Sequence, residues 1–117
     1  MSSTKRMQAL GRLKPGQMNK TEARYAQHLL ERKIAGEILW FQFEILTIKI
    51  APDTRLTIDF AVINRDGVVE MHDVKGSKFM IQDDAKVKMK VAASIVPFTF
   101  FYAFPVKGGG WLLEEVG

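Results

Sequence analysis

The stretch Met71-His72-Asp73-Val74-Lys75-Gly76, together with Leu56-Thr57-Ile58-Asp59-Phe60, decides the fold that we expect for this chain. Both stretches are typical of buried β-strands, but each carries charged side chains among apolar ones. Strand alternation puts Asp73 and Lys75 on a common face and separates Asp59 from its apolar neighbours, so two carboxylates and a lysine can converge. Carboxylates in apolar strands are costly to bury unless they pair, hydrogen-bond or hold a metal. The pattern therefore predicts a carboxylate site of the kind that holds a metal ion.

The composition limits what kind of protein this is. With 117 residues the chain is long enough for one domain with a single core of two or three layers. Its fractions of 47% hydrophobic and 26% charged residues are those of a soluble globular protein. There is neither an apolar run of about 20 residues nor a signal-peptide core, so we expect a cytoplasmic protein that does not enter a membrane. The absence of cysteine excludes thiolate chemistry and leaves oxygen and imidazole as metal ligands.

The positive charge is concentrated at the N-terminus. Residues 1–18 contain no acid, and their four cations account for the whole net charge of +4. These cations are Lys5, Arg6, Arg12 and Lys14. Such a segment is either a flexible arm that contacts nucleic acid or a solubilising tail, and the sequence leaves both interpretations open. We therefore divide the chain into a flexible basic arm, residues 1–18, and a single domain, residues 19–117.

The order of secondary structure follows from periodicity and turn residues. Helices are predicted at residues 19–35 and 83–95. Strands are predicted at residues 40–50, 55–63, 68–75, 98–104 and 111–114. The first three should form an antiparallel meander, with Ile58 and Phe60 on one face of the second strand. Residues 98–104 are almost wholly apolar, which predicts a central strand covered on both faces and parallel to the strand before the second helix.

This α-β-β-β-α-β order, with Glu22 in the first helix, Asp59 in the second strand and Asp73-Val74-Lys75 at the end of the third, resembles the PD-(D/E)XK nuclease superfamily. More narrowly, residues 19–25, 57–60 and 73–76 are similar to small phage-encoded nucleases, including the Holliday-junction-resolving endonuclease I type. The resemblance covers about residues 19–104. Two positions depart from the superfamily pattern: Ile58 replaces a frequent proline, and Asp73 stands where glutamate is common.

The resemblance implies a restriction-endonuclease-like αβββαβ core, a mixed sheet flanked by helices. It also implies a metal-dependent DNA endonuclease in which Mg²⁺ is held by Asp59, Asp73 and the backbone carbonyl of Val74, assisted by Glu22. Lys75 would lie beside the nucleophilic water and the phosphate. Mn²⁺, which also accepts oxygen ligands, should support activity as well. One or two ions, about 3.5–4 Å apart if two, would satisfy the chemistry.

The implied substrate is branched DNA, and two incisions per junction imply a symmetric homodimer. For a phage-encoded chain, the compartment would be the cytoplasm of the host cell. Two alternatives stay open from the residues: a nonspecific or nicking nuclease, and a non-catalytic DNA-binding protein that retains the fold.

Several residues have a plainer interpretation beside the functional one. Glu22 lies three residues after Asn19, so its carboxylate could complete a helix capping box instead of serving a metal. Lys78, Lys86 and Lys90 are candidate DNA contacts or ordinary solvated lysines. Lys86 and Lys90 share a helix face that Lys88 does not.

The two histidines are not expected to take part in the chemistry. His72 should point away from Asp73, because neighbouring residues of a strand alternate in direction. His28 is expected to be exposed on the first helix.

Overall fold

A five-stranded mixed sheet with a helix on each side organises the protein in a computed structural model, which describes residues 16–117. The four cations predicted for the arm lie outside the described residues. Helix α1 spans Lys20–Ile34 and helix α2 spans Asp83–Ile95. The strands are β1 Ile38–Phe43, β2 Thr47–Ala51, β3 Thr54–Thr57, β4 Phe60–Asn64, β5 Val69–Val74, β6 Thr99–Pro105 and β7 Trp111–Glu115. Neither helix is long and apolar enough to cross a membrane within this part of the chain.

The sheet has the strand order β1-β4-β5-β6-β7. Strands β1, β4 and β5 pair antiparallel, as do β6 and β7. Strand β6 pairs parallel with β5, and helix α2 makes the connection between them. The predicted mixed α/β class and the parallel β-α-β unit are therefore confirmed.

Both helices begin and end where the sequence indicates. At the start of α1, the Glu22 N–H donates to Oδ1 of Asn19 at 2.8 Å, and the Asn19 N–H donates to Oε1 of Glu22 at 2.9 Å. This capping box fixes the first turn. The helix ends before Gly36, whose φ of 79° suits glycine. Helix α2 ends two residues before Pro97, which cannot continue a helix.

Two predicted strands are each divided in two, which corrects the sequence analysis. Residues 40–50 break at Glu44, which has a φ of 48°, and residues 55–63 break at Ile58 and Asp59. The Glu44 N–H donates to the Asp59 carbonyl at 2.8 Å, so both strands kink at the same level. Beyond the kink, β2 and β3 form a separate two-stranded sheet.

The kink also changes which face Ile58 occupies. Ile58 packs with Met71 and Phe100 on the α2 side, whereas Phe60 packs with Tyr25 on the α1 side. The predicted common face for Ile58 and Phe60 is therefore wrong, because strand alternation holds only while the strand is continuous.

The core has one layer on each side of the sheet, and β6 contributes to both. Phe100, Tyr102 and Phe104 face the α2 side, and Ala103 faces the α1 side. The covered central strand predicted for residues 98–104 is confirmed, and the edge strand predicted at residues 111–114 is β7. Within residues 16–117, the two polar residues that are almost fully buried are His72 and Asp73, which lie next to each other in β5.

Candidate active site

Asp59 lies at the fork where β4 and β5 separate. The two strands pair from Ile63 opposite Val69 to Phe60 opposite His72. One step further, Asp59 leaves the ladder, and its Oδ2 atom accepts the Val74 N–H at 2.7 Å. A side chain thus replaces the carbonyl that an unbroken strand would present. The kink after β3 is what turns the carboxylate of Asp59 toward the end of β5.

The carboxyl groups of Asp59 and Asp73 are brought against each other. The pKa of Asp59 is raised to about 9, first by burial of its carboxyl group, then by the charge of Asp73, with a smaller contribution from Glu22. The hydrogen bond from the Val74 N–H opposes the rise. With its pKa raised to about 9, Asp59 holds a proton near neutral pH in the metal-free protein, and a bound cation would displace that proton.

Lys75 completes a line of polar groups on this face of β5. Its Nζ atom lies 3.3 Å from Oδ2 of Asp73, as the alternation of the strand predicts. Its backbone N–H donates to the Ala103 carbonyl at 3.0 Å and so points toward β6. The preceding residue points the other way, since the Val74 N–H donates to Asp59. In a strand the N–H and the carbonyl of one residue leave on the same side, so the Val74 carbonyl also lies on the Asp59 side, as the expected metal site requires.

Glu22 completes the capping box of α1, and its charge also influences Asp59. Its carboxylate accepts the Asn19 N–H in the capping box, and its charge contributes to the raised pKa of Asp59. The plainer interpretation is thus correct without excluding the other, because the capping bond uses only Oε1. Whether Glu22 serves the chemistry stays a prediction.

The carboxylates do not form a complete metal cage on their own. Within residues 16–117, no group of three or more histidine, aspartate or glutamate side chains lies close enough to hold an ion. Glu22 contributes to the raised pKa of Asp59 but is not grouped with Asp59 and Asp73 closely enough to share an ion with them. Mg²⁺ keeps several waters and is commonly bound by one or two carboxylates, so Asp59, Asp73 and the Val74 carbonyl suit it as a donor set.

The three candidate DNA-binding lysines of the domain lie in two different settings. Lys78 follows β5 in the sequence, and its Nζ atom lies 3.1 Å from Oε2 of Glu114 at the protein surface. Lys86 and Lys90 line an open pocket of about 280 Å³ together with Tyr102. Lys88 does not line that pocket, which agrees with its different position on the helix.

Neither histidine side chain makes a contact with the carboxyl group of Asp59 or Asp73. His72 is fully buried on the α1 side, where the Tyr25 hydroxyl donates to Nδ1 and Nε2 is 2.8 Å from Oε1 of Glu70. Its predicted direction away from Asp73 is confirmed. His28 is half-buried, not exposed, because the Tyr25 ring and the Trp111 ring of β7 lie 5.7 Å and 6.2 Å from its own ring. Burial lowers the pKa of His28, with a further contribution from the charge of Arg32.

Sequence reasoning missed Tyr102. It lies opposite Asp73 in the parallel ladder, is 8% exposed, and its hydroxyl has no hydrogen-bond partner among the described residues. Burial raises the pKa of this hydroxyl, and the charges of Asp73 and Glu114 raise it further. The available signal was a hydroxyl in the middle of a largely apolar strand, but its place beside Asp73 depends on a register that the sequence does not reveal.

A scan against protein-family models, a search of curated proteins and a search of solved structures each found no match for this chain. Its function is therefore inferred from its own residues and from the motifs they form.

Proposed function

We propose that this protein is a metal-dependent DNA endonuclease that hydrolyses phosphodiester bonds in branched DNA. The observation that carries the proposal is the fork between β4 and β5, where Asp59 accepts the Val74 N–H and meets the carboxyl group of Asp73. Lys75 lies beside Asp73 at the same point. A buried acidic pair next to a lysine has no evident use in stabilising the fold, because the pKa of Asp59 is raised against ionisation.

The residues that would hold Mg²⁺ are Asp59, Asp73 and the carbonyl of Val74, with Glu22 assisting. When bound, the ion would neutralise charge on the phosphoryl group and make a coordinated water more acidic. Asp59 and Asp73 would supply the negative oxygens, which leaves other coordination positions for water and phosphate. The proton that Asp59 holds in the metal-free protein would be lost on metal binding.

Lys75 serves the reacting groups directly. Its ammonium group, oriented by Asp73, can donate hydrogen bonds to the attacking water and to a non-bridging phosphate oxygen. The water oxygen forms a bond to phosphorus while the bond from phosphorus to the 3′ oxygen breaks. The water proton passes to solvent, and the departing oxygen takes a proton to become a 3′ hydroxyl. The other product ends in a 5′ phosphate.

The order of elements supports a restriction-endonuclease-like core. Helix α1, the meander β1-β4-β5, helix α2 and β6 follow the order α-β-β-β-α-β once the hairpin β2-β3 is treated as an insertion. The motifs that resemble junction-resolving nucleases lie on or next to these elements: residues 19–25 at the start of α1, Asp59 directly before β4, and Asp73 near the end of β5. Two incisions in opposing strands require two active sites, so we propose that a symmetric homodimer is the active form.

The basic arm begins next to the proposed site. The Gly16 N–H donates to Oε1 of Glu44 at 2.8 Å, and the Glu44 N–H donates to the Asp59 carbonyl. Residues 1–15, which precede Gly16 in the sequence, carry the four cations that we propose contact the bound DNA. The position of Gly16 supports the arm as an electrostatic contact.

The test compares a four-way junction, a flap and a linear duplex of shared sequence, each with Mg²⁺, with Mn²⁺ and with a chelator. We expect the wild-type protein to cut the junction with either metal and to leave it intact with the chelator. Equal cutting of all three substrates would indicate a nonspecific or nicking nuclease. Tight DNA binding without cutting under any condition would indicate a non-catalytic DNA-binding protein.

A further inference from the structure

The Tyr102 hydroxyl is an unpartnered buried donor beside the acidic pair. Tyr102 is 8% exposed, and among the described residues its hydroxyl makes no hydrogen bond. A buried hydroxyl without a partner costs about 1–3 kcal/mol. A bound ligand that accepts a hydrogen bond would remove this cost. Because Tyr102 is opposite Asp73 in the β5-β6 ladder, such a ligand would lie next to the proposed catalytic carboxylates.

Tyr102 lines a pocket whose two lysines have no carboxylate within salt-bridge distance among the described residues. This Tyr102 pocket has a volume of about 280 Å³. It is lined by Tyr102, Lys86 and Lys90 and by the chain end Glu114, Glu115, Val116 and Gly117. In the described part of the chain, neither Lys86 nor Lys90 has a carboxylate within salt-bridge distance. Two like charges one helical turn apart are mildly destabilising without a counterion.

The acidic side chains at the rim are partly neutralised. Oε2 of Glu114 lies 3.1 Å from Nζ of Lys78, which leaves Glu115 as the acid opposing Lys86 and Lys90. Asp73, which faces Tyr102 from β5, is likewise held by Lys75. In the described part of the chain neither Lys86 nor Lys90 forms an ion pair with these acids, so both lysines can take a phosphate as their partner.

We propose that the Tyr102 pocket binds a DNA phosphate that neighbours the one being cut. Tyr102 would donate its hydroxyl to a non-bridging oxygen, and Lys86 and Lys90 would supply the balancing charge. This inference rests on the proposed nuclease function and extends it. The DNA backbone would then run from Asp59 and Asp73 over β6 and along helix α2. A DNA phosphate is a suitable ligand because it carries one negative charge and only accepts hydrogen bonds.

Metal-free binding to a four-way junction tests the pocket separately from cleavage. The variants are Tyr102→Phe, Lys86→Gln and Lys90→Gln, with Lys88→Gln as the matched control from the same helix. Affinity is measured over a range of salt concentrations in chelator. We expect Lys86→Gln and Lys90→Gln each to lower the slope of log affinity against log salt by about 0.9, the value of one phosphate contact. We expect Tyr102→Phe to weaken binding by about tenfold, as for a hydrogen bond to a charged group.

DNA affinity distinguishes this role from simple burial of the ring. Tyr102→Phe should raise the melting temperature of the free protein in either case, because it removes an unpartnered hydroxyl; if that hydroxyl only fills space, DNA affinity should stay unchanged. That result, or slopes for Lys86→Gln and Lys90→Gln that equal the slope for Lys88→Gln, would overturn the proposal, as would a wild-type protein that binds no DNA.

Wild-type cleavage in Mg²⁺ separates the pocket from the chemistry. If Lys86→Gln and Lys90→Gln lower the slope of log affinity against log salt but the wild type does not cleave DNA, the phosphate pocket is supported and the nuclease function is removed. Cleavage by the wild type, with variants that bind as the wild type does, would remove the pocket and leave the nuclease.

Discussion

Asp59→Asn should make the metal-free protein more stable while abolishing its activity. The amide keeps the shape of the side chain, and its oxygen can still accept the Val74 N–H that Oδ2 accepts at 2.7 Å. What the substitution removes is a carboxyl group that is buried against Asp73. Active-site residues commonly reduce stability in this way because their arrangement serves the bound state.

The size of the effect follows from the pKa of Asp59, which is raised from 3.8 to about 9. Between these values the folded protein binds a proton that the unfolded chain does not, so the free energy of unfolding falls as the pH rises. One pKa unit corresponds to about 1.4 kcal/mol, which sets an upper limit of about 7 kcal/mol near pH 9. That is comparable with the whole stability of a small domain, so relaxation around the carboxylates must reduce it. We expect a gain of roughly 2–3 kcal/mol at pH 8, or about 10 °C in melting temperature.

Thermal unfolding from pH 5 to pH 9 in chelator measures this difference. The wild-type melting temperature should fall across the range, and that of Asp59→Asn should fall much less. Asp53→Asn, which removes the same charge from the exposed β2-β3 turn, is the control and should behave as the wild type. Added Mg²⁺ should raise the melting temperature of the wild type and not that of Asp59→Asn. An Asp59→Asn protein that is less stable than the wild type at pH 8 would refute the reasoning.

Three other substitutions separate structural from functional roles. Glu22→Gln should lower cleavage at least tenfold at an unchanged melting temperature, because glutamine can still complete the capping box with Asn19; equal losses of activity and stability would favour a purely structural role. Tyr25→Phe leaves the buried His72 without its hydroxyl partner and should lower the free energy of unfolding by about 1–3 kcal/mol, with cleavage by the folded protein unchanged at low temperature; reduced cleavage there would link the α1 side to the chemistry. Deleting residues 1–15 should reduce the salt slope of DNA binding by up to about four contacts of 0.9 each; an unchanged slope would mean that the arm does not touch DNA.

The sequence predicted the elements that depend on local rules. The ends of both helices follow from residues with direct physical effects, such as the capping box at Asn19 and the proline after α2. Strand β6 could be recognised because a wholly apolar run must be covered on both faces. The common face of Asp73 and Lys75 follows from strand alternation, and the structure keeps it because β5 is continuous there.

The parts that could not be predicted depend on contacts between distant residues. The kink that divides residues 40–50 and 55–63 is fixed by the bond from the Glu44 N–H to the Asp59 carbonyl, and no local signal marks it. That kink overturned the expected face of Ile58, yet it is also what brings Asp59 to the Val74 N–H. The setting of Tyr102 depends on the register between β5 and β6, and that of His28 on a contact with β7. In each case the tertiary partner, not the local pattern, determines the environment.

The most direct test of the account is cutting of a cruciform in a supercoiled plasmid by the wild type and by Asp73→Asn. Asparagine keeps the shape of Asp73 but removes the charge that would hold Mg²⁺. We expect the wild type in Mg²⁺ to convert the plasmid to linear product, through paired nicks at the base of the cruciform, and to leave it intact in chelator. Asp73→Asn should bind the plasmid and retain less than a few per cent of the wild-type rate. Cutting in chelator, or an Asp73→Asn rate equal to that of the wild type, would contradict a catalytic metal site at this pair of carboxylates.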